Sequence, residues 1–193
     1  MEVTQQQACR ILARAGLHRP AAVRVLRAGF AGAPRAVGGS EARPGKLLYR
    51  EPRVWDLVVR PMFGCDEPEH ALDPAALVIR SGPRQLDEGS GCGWSGVDLT
   101  APLDEQLEAV RRTRPMSIAM YATAVIARQV HGSIPFVVTV SSFVAVGAEV
   151  VAIDVTGGRT QLTLQPPGPW FDQLRGARLD SGPGSERRWL SLW

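Results

Sequence analysis

Ile134 to Ile153 is a run of 20 residues with a single charge, Glu149. A run of this length and polarity either crosses a membrane or lies inside a core. Its content argues for the core. Val and Thr are frequent, Pro135 stands near its start, and Ser141-Ser142 and Gly147 interrupt it. β-Branched residues broken by turn formers suit strands. The expectation is two buried strands meeting near Gly147-Ala148, in a chain with no membrane partner.

The strand pattern continues downstream. Residues 149–155 and 160–165 read as strands joined at Gly157-Gly158, a strong hairpin signal. Pro166–Pro169 is a turn, Trp170–Arg175 a short helical segment and 188–193 a final strand. Upstream, Ala76–Ile79 is a short strand and 81–96 is mostly loop. Leu103, Leu107 and Val110 define a helix, with Asp104 and Glu105 early and Arg111, Arg112 and Arg114 late, as the helix dipole favours. Pro115 breaks it. Ile118, Tyr121, Ala122, Val125 and Ile126 mark another helix, ended by His131-Gly132. Residues 76–193 therefore read as an α+β domain with a mainly antiparallel sheet and two or three helices.

The segment before it differs in charge. Residues 1–62 hold 11 basic and 4 acidic residues (+7), whereas residues 63–193 hold 11 basic and 15 acidic (−4), within a net charge of +3. Such asymmetry points to an anionic partner for the basic part. Residues 63–75, acidic and Pro-containing, read as the linker. A composition of 45% hydrophobic and 21% charged residues excludes wholesale disorder. Cys9, Cys65 and Cys92 are odd in number and widely spaced, which is no disulfide framework. Met-Glu-Val-Thr-Gln-Gln-Gln carries no leader pattern. The expected location is cytoplasmic and nucleoid-associated.

Gln5 to Ala15 reads as a helix with Ala8, Ile11, Leu12 and Ala15 at helical spacing, ended by Gly16. Pro20 opens a second, with Ala22, Val23 and Leu26 as its apolar stripe and Gly29 at its close. Two short strand-like runs, Pro34–Val37 and Lys46–Arg50, flank the loop Gly38–Gly45, and Pro52 opens a third helix with Val54, Leu57 and Val58 inward. Val3 to Val59 thereby resembles the MerR-type and excisionase-type winged helix-turn-helix DNA-binding domains. The matching run is Thr4-Gln-Gln-Gln-Ala8, Ile11-Leu12, Pro20-Ala-Ala-Val23, Leu26–Gly29, Val37 and Arg50-Glu-Pro-Arg-Val-Trp55. Three features depart from that pattern. The turn Arg14–His18 is longer, His18 or Arg19 stands where a Ser or Thr cap is usual, and the wing loop is extended.

The resemblance implies a recognition helix for the major groove and a wing beside it. On the residues themselves, packing of Ala22, Val23 and Leu26 sends Arg24 and Arg27 outward, with Arg19 leading the helix. Arg35, Arg43, Lys46 and Arg50 belong to the wing and Arg53 opens the third helix. The alternative is that Arg simply solvates these surfaces, since 21 of the 22 basic residues are Arg.

Other motifs carry less. Gly91-Cys-Gly-Trp-Ser-Gly96 matches G-x-G-x-x-G literally, but a loop precedes it and no helix opens after it. Cys65, His70 and Cys92 lack the paired spacing of a structural zinc site. No His, Cys or Ser stands with a recognisable triad partner, so no catalytic residue, metal or cofactor is expected. His131 suits a helix end. Trp94, Trp170, Trp189 and Trp193, with Phe136, Phe143 and Phe171, read as core, pocket or dimer interface, and the Val-rich strand at 136–146 could pair across a dimer axis. The reading is a non-enzymatic, sequence-specific binder of double-stranded DNA, a bacterial transcriptional regulator acting as a homodimer. The alternatives are an excisionase-like accessory factor with a transcription or recombination partner, or a protein-interaction module on an uncharacterised domain.

Overall fold

The computed structural model describes residues 1–39, 45–64, 76–113, 117–156, 159–180 and 187–190. The chain is a mixed α and β protein. It begins with β1 (Glu2–Thr4), α1 (Gln5–Leu12), a single 3-10 turn (Ala13–Ala15), α2 (Arg19–Arg27), β2 (Arg35–Val37), β3 (Lys46–Arg50) and α3 (Glu51–Val58). It continues with β4 (Met62–Gly64), β5 (Ala76–Arg80), β6 (Gln85–Leu86), β7 (Trp94–Ser95), α4 (Leu103–Val110), β8 (Arg112–Thr113) and α5 (Ile118–His131). The last elements are β9 (Ile134–Val140), β10 (Phe143–Thr156), β11 (Arg159–Gln165), α6 (Phe171–Leu174), β12 (Arg178–Asp180) and β13 (Arg187–Leu190).

α1 starts where its cap dictates. Thr4 accepts the Gln7 amide and the Gln7 side chain returns to the Thr4 amide, a reciprocal capping box. Gly16, at φ +77°, stops the 3-10 turn that prolongs α1. The turn into α2 is thus only Gly16-Leu17-His18, shorter than the sequence suggests. β1, β2 and β3 form a small antiparallel sheet in the order β1-β3-β2. Tyr49 of β3, on its inner face, is buried among α1, α2 and α3 residues.

The large sheet runs β13-β5-β9-β10-β11-β8, with β12 pairing both β10 and β4. Its pairs are antiparallel except β5–β9 and β4–β12. All seven residues of β9 are buried, as expected of a strand covered on both faces. Leu77, Ile79, Phe136, Val138 and Val140 face the core that also holds the N-terminal helices. Ala76, Val78 and Val137 face a smaller cluster under Phe171, Leu174 and Leu179.

Several expectations need correcting. The first hairpin turns at Ser141-Ser142, not at Gly147-Ala148: the serines have φ +49° and +74°, and β9 and β10 pair from Val140↔Phe143 onward. That left-handed pair is what a tight two-residue hairpin needs. Gly147 is instead mid-strand, because the Phe171 ring lies where its Cβ would be, 2.2 Å away. β9 has β5 on one side and β10 on the other, so the Val-rich strand offers no edge for pairing across a dimer axis. Phe63 and Gly64, assigned to the linker, belong to β4 and pair with Leu179 and Asp180; residues 65–75 lie outside the described residues. Thr156 pairs Arg159 as a Gly157-Gly158 hairpin demands, the glycines themselves lying outside the described residues. The stripe Ile118, Ala122, Ile126 does not pack inward. α5 rests on the sheet through Ala124, with Met120 and Ala127 beside it, and turns that stripe to solvent.

Candidate functional site

The basic side chains singled out from sequence are carried by three elements. On α2, Ala21, Ala22, Val25 and Leu26 are buried, with Val23 half-buried at the margin. Pro20, Arg24 and Arg27, spaced four and three residues apart, lie on the exposed side together with Arg19. His18 is an effective cap: its Nδ1 accepts the Ala21 amide at 3.3 Å, supplying the acceptor that Ser or Thr would have provided.

Arg19 and Arg27 also border the core. The Cys9 thiol is pushed up by burial, with the Arg19 charge opposing. Burial likewise raises the Tyr49 hydroxyl, Cys9 adding to the effect and Arg27 opposing it. Arg24 is differently engaged. Its Nε donates to the Ser141 hydroxyl at 3.3 Å, joining α2 to the β9–β10 turn across 117 residues of sequence.

The second group follows from strand register. Glu2 stands opposite Arg50, Thr4 and Arg35 opposite Leu48, and Val37 opposite Lys46. These residues share the outer face of the small sheet, while Val3, Leu47 and Tyr49 share the inner. Arg35 reaches across β3 to Glu2 in a two-pronged ion pair. The hydrogen bond from Arg35 holds the Glu2 carboxyl below its ordinary range, with the charges of Arg35 and Arg50 adding to it. The third group is the start of α3. Arg50 and Arg53, with Met1, Glu2, Pro52 and Asp56, line an open recess of about 400 Å³. The structure therefore gathers Arg35, Arg50 and Arg53 around Glu2 and leaves the α2 arginines as a separate set. Arg43 lies outside the described residues.

Sequence reasoning missed Glu2 and Ser141. Glu2 becomes visible only once β1 is placed beside β3. No local signal links Ser141 to α2. The Thr4-x-x-Gln7 box, by contrast, was legible in the chain.

The junction between the N-terminal helices and the large sheet is built on Phe143. Phe30 meets it edge-to-face at 5.5 Å. The Arg60 guanidinium lies over both rings, at 5.5 and 5.8 Å, and Arg178 lies 5.0 Å over Phe143. Burial lowers both guanidiniums from their ordinary range. Arg178 also donates to the Ala15 carbonyl at 3.0 Å and to the Ser142 hydroxyl at 3.4 Å. The Leu99 amide donates to the Ala28 carbonyl at 2.9 Å, beside Gly29, where an added Cβ would stand 3.2 Å from Thr100.

The glycine-rich motif is fastened as structure. Trp94 is buried beneath the Arg84 guanidinium at 4.8 Å, and Gly96 packs against the Pro83 carbonyl. The Cys92 thiol donates to the Trp94 carbonyl at 3.3 Å. Cys65 and His70 lie outside the described residues. Among the described residues no cluster of three His, Cys, Asp or Glu side chains could hold a metal. Phe136, Phe143, Phe171 and Trp94 are core, Trp170 is half-buried and donates to Glu149, and the Trp189 side chain and Trp193 lie outside the described residues. No described helix is long and apolar enough to cross a membrane. In comparisons with known proteins, no family model, no curated protein and no solved structure matches this chain.

Proposed function

We propose that the chain binds double-stranded DNA sequence-specifically through residues 1–62, acting as a winged helix-turn-helix, and that it is a bacterial transcriptional regulator working as a homodimer. The observation that carries this reading is the two-sidedness of α2. Four small or branched apolar residues pack inward and Arg19, Arg24 and Arg27 point out. The element order of the first 58 residues and the exposed Lys46 and Arg50 on β3 add support. In this reading α2 enters the major groove, where Arg reads a guanine edge or grips a phosphate. Lys46 and Arg50 follow the backbone. Arg35 contributes less, since Glu2 already neutralises it.

The test is fluorescence anisotropy of the full chain on duplex DNA across a salt series, followed by selection of the preferred site. The expected result is a steep fall in affinity with salt. Arg27→Ala should cost about 1–3 kcal/mol on the selected site and relax its sequence preference. Lys46→Ala should weaken all duplexes evenly and flatten the salt slope by about one. Absence of binding by the full chain at low salt overturns the reading. It would favour the second reading, a protein-interaction module, which draws on the fact that Arg24 and Arg35 are already engaged within the chain.

A further inference from the structure

α5 is a 14-residue helix whose charged or titratable side chains are Tyr121, Arg128 and His131. Arg128 is turned to the sheet edge, donating to the Val151 carbonyl at 2.7 Å. Opposite the buried Ala124, the stripe Ile118, Ala119, Ala122, Val125, Ile126 and Val130 lies in an arc of roughly 140°, with Gln129 as the one polar residue inside it. Three of its large members are open to solvent, Ile118 at 90%, Ile126 at 60% and Val130 at 70%, while Val125 is half-buried. Isolated exposed apolar residues need no explanation, but three on one helix face do.

We propose that this stripe is the interface with a second copy of the same chain, α5 packing antiparallel on α5 about a two-fold axis level with residue 124. Three observations select this occupant. The first is self-complementarity. That axis sets each residue i opposite 248 − i of the other copy, so Ile126 of one copy meets Ala122 of the other and Ile118 meets Val130, while Ala119 falls opposite Gln129 and Val125 opposite Thr123 at the margins. Large opposes small at the centre, as ridges-into-grooves packing requires, and an isologous contact must match itself in this way. The second is charge. The stripe offers nothing for a charged partner to recognise. A helix lying on a membrane surface would need a cationic polar face, and α5 has only Arg128, which is engaged, and His131. Of the longer segments outside the described residues, 65–75 has four acidic residues and one Leu and 181–186 has no large apolar side chain, so neither composition suits the stripe. The internal competitor is 191–193, with Leu192 and Trp193, and a monomeric wild type would favour it. The third is area. Covering the stripe on both copies removes about 1,000 Å² from water, near the lower bound of a specific interface.

The interface does not depend on the DNA reading, and a chain that dimerises without touching DNA leaves it intact. The test is sedimentation velocity of the full chain up to about 100 micromolar, with Ile126→Glu, Ala122→Lys and their equimolar mixture. The expected wild type is a dimer. Each variant alone should weaken it at least about a hundredfold by placing a charge against an apolar partner. The mixture should dimerise again, because the introduced Glu and Lys then face each other while Ala122 and Ile126 face across the second contact. Near-ultraviolet circular dichroism, and a Tm equal to wild type at concentrations low enough to hold both monomeric, check that each variant is folded, both positions being on the exposed side of α5. A monomeric wild type, a dimer indifferent to both variants, or a mixture that stays monomeric would each overturn the proposal.

Discussion

Single side chains set several of the bends on which this molecule depends. His18 closes the N-terminus of α2 with a ring nitrogen. His18→Ala should cost about 1 kcal/mol in urea unfolding and His18→Asp should restore it; equal stability of the two variants would contradict the assignment. Gly147 is required by its neighbour, since a Cβ would stand 2.2 Å from the Phe171 ring. Gly147→Ala should therefore cost about 1–3 kcal/mol, measurable in the same way. Ser141 and Ser142 occupy left-handed backbone without being glycine. Their hydroxyls receive Arg24 and Arg178, which offsets the conformational cost. Asp98 gives a pH dependence. Burial pushes its carboxyl up, but the Thr100 hydroxyl and amide and the Arg84 guanidinium outweigh this and hold it below its ordinary 3.8. A depressed acid contributes stability that is complete above the ordinary aspartate range and is lost as pH falls through the depressed value. The urea midpoint should decline as pH drops below about 4, and Asp98→Asn should make that decline shallower.

At the level of elements, what could be read from sequence depended on how local the signal was. The stripe Leu103, Leu107 and Val110 locates α4, but the arginines expected at its end lie beyond it: α4 stops at Val110 and Arg112–Thr113 pair with β11 as β8. α1, α2, α3, β2 and β3 follow from apolar spacing, prolines and turn formers. β1 and β4 were invisible because each has three residues and owes its existence to a distant partner, β3 or β12. The hairpin turn was displaced because Gly147 is the obvious breaker, whereas its real role is to admit Phe171. α5 was located by its periodicity and ends at His131-Gly132 as expected. Periodicity reveals that a helix has two faces, but not which one the fold will cover. Among the candidate site residues, exposure of the α2 arginines followed from the stripe, while the Glu2 and Ser141 contacts depended on tertiary placement. At concentrations low enough to hold the chain monomeric, Ile126→Glu should leave unfolding free energy within about 0.5 kcal/mol of wild type. Ala124→Leu, on the sheet side, should lose about 1–3 kcal/mol.

For the molecule as a whole, one core runs from α1 and α2 through Phe30 and Phe143 to β5, β9 and β10. Thermal unfolding of the monomer should be a single transition with equal calorimetric and van't Hoff enthalpies. Two separated transitions would show that the basic head melts on its own. Phe143→Ala should cost about 3–5 kcal/mol, since it removes the ring that Phe30, Arg60 and Arg178 all share. That shared ring also bears on the proposed DNA binding and dimer. On those two proposals, with α2 clamped to the sheet and two copies joined through α5, the pair would behave as calipers locked at one opening. Two reading heads on a fixed span could not follow DNA half-sites moved around the duplex. Inserting about half a helical turn, 5 base pairs, between them should abolish paired binding, whereas a full turn should cost less.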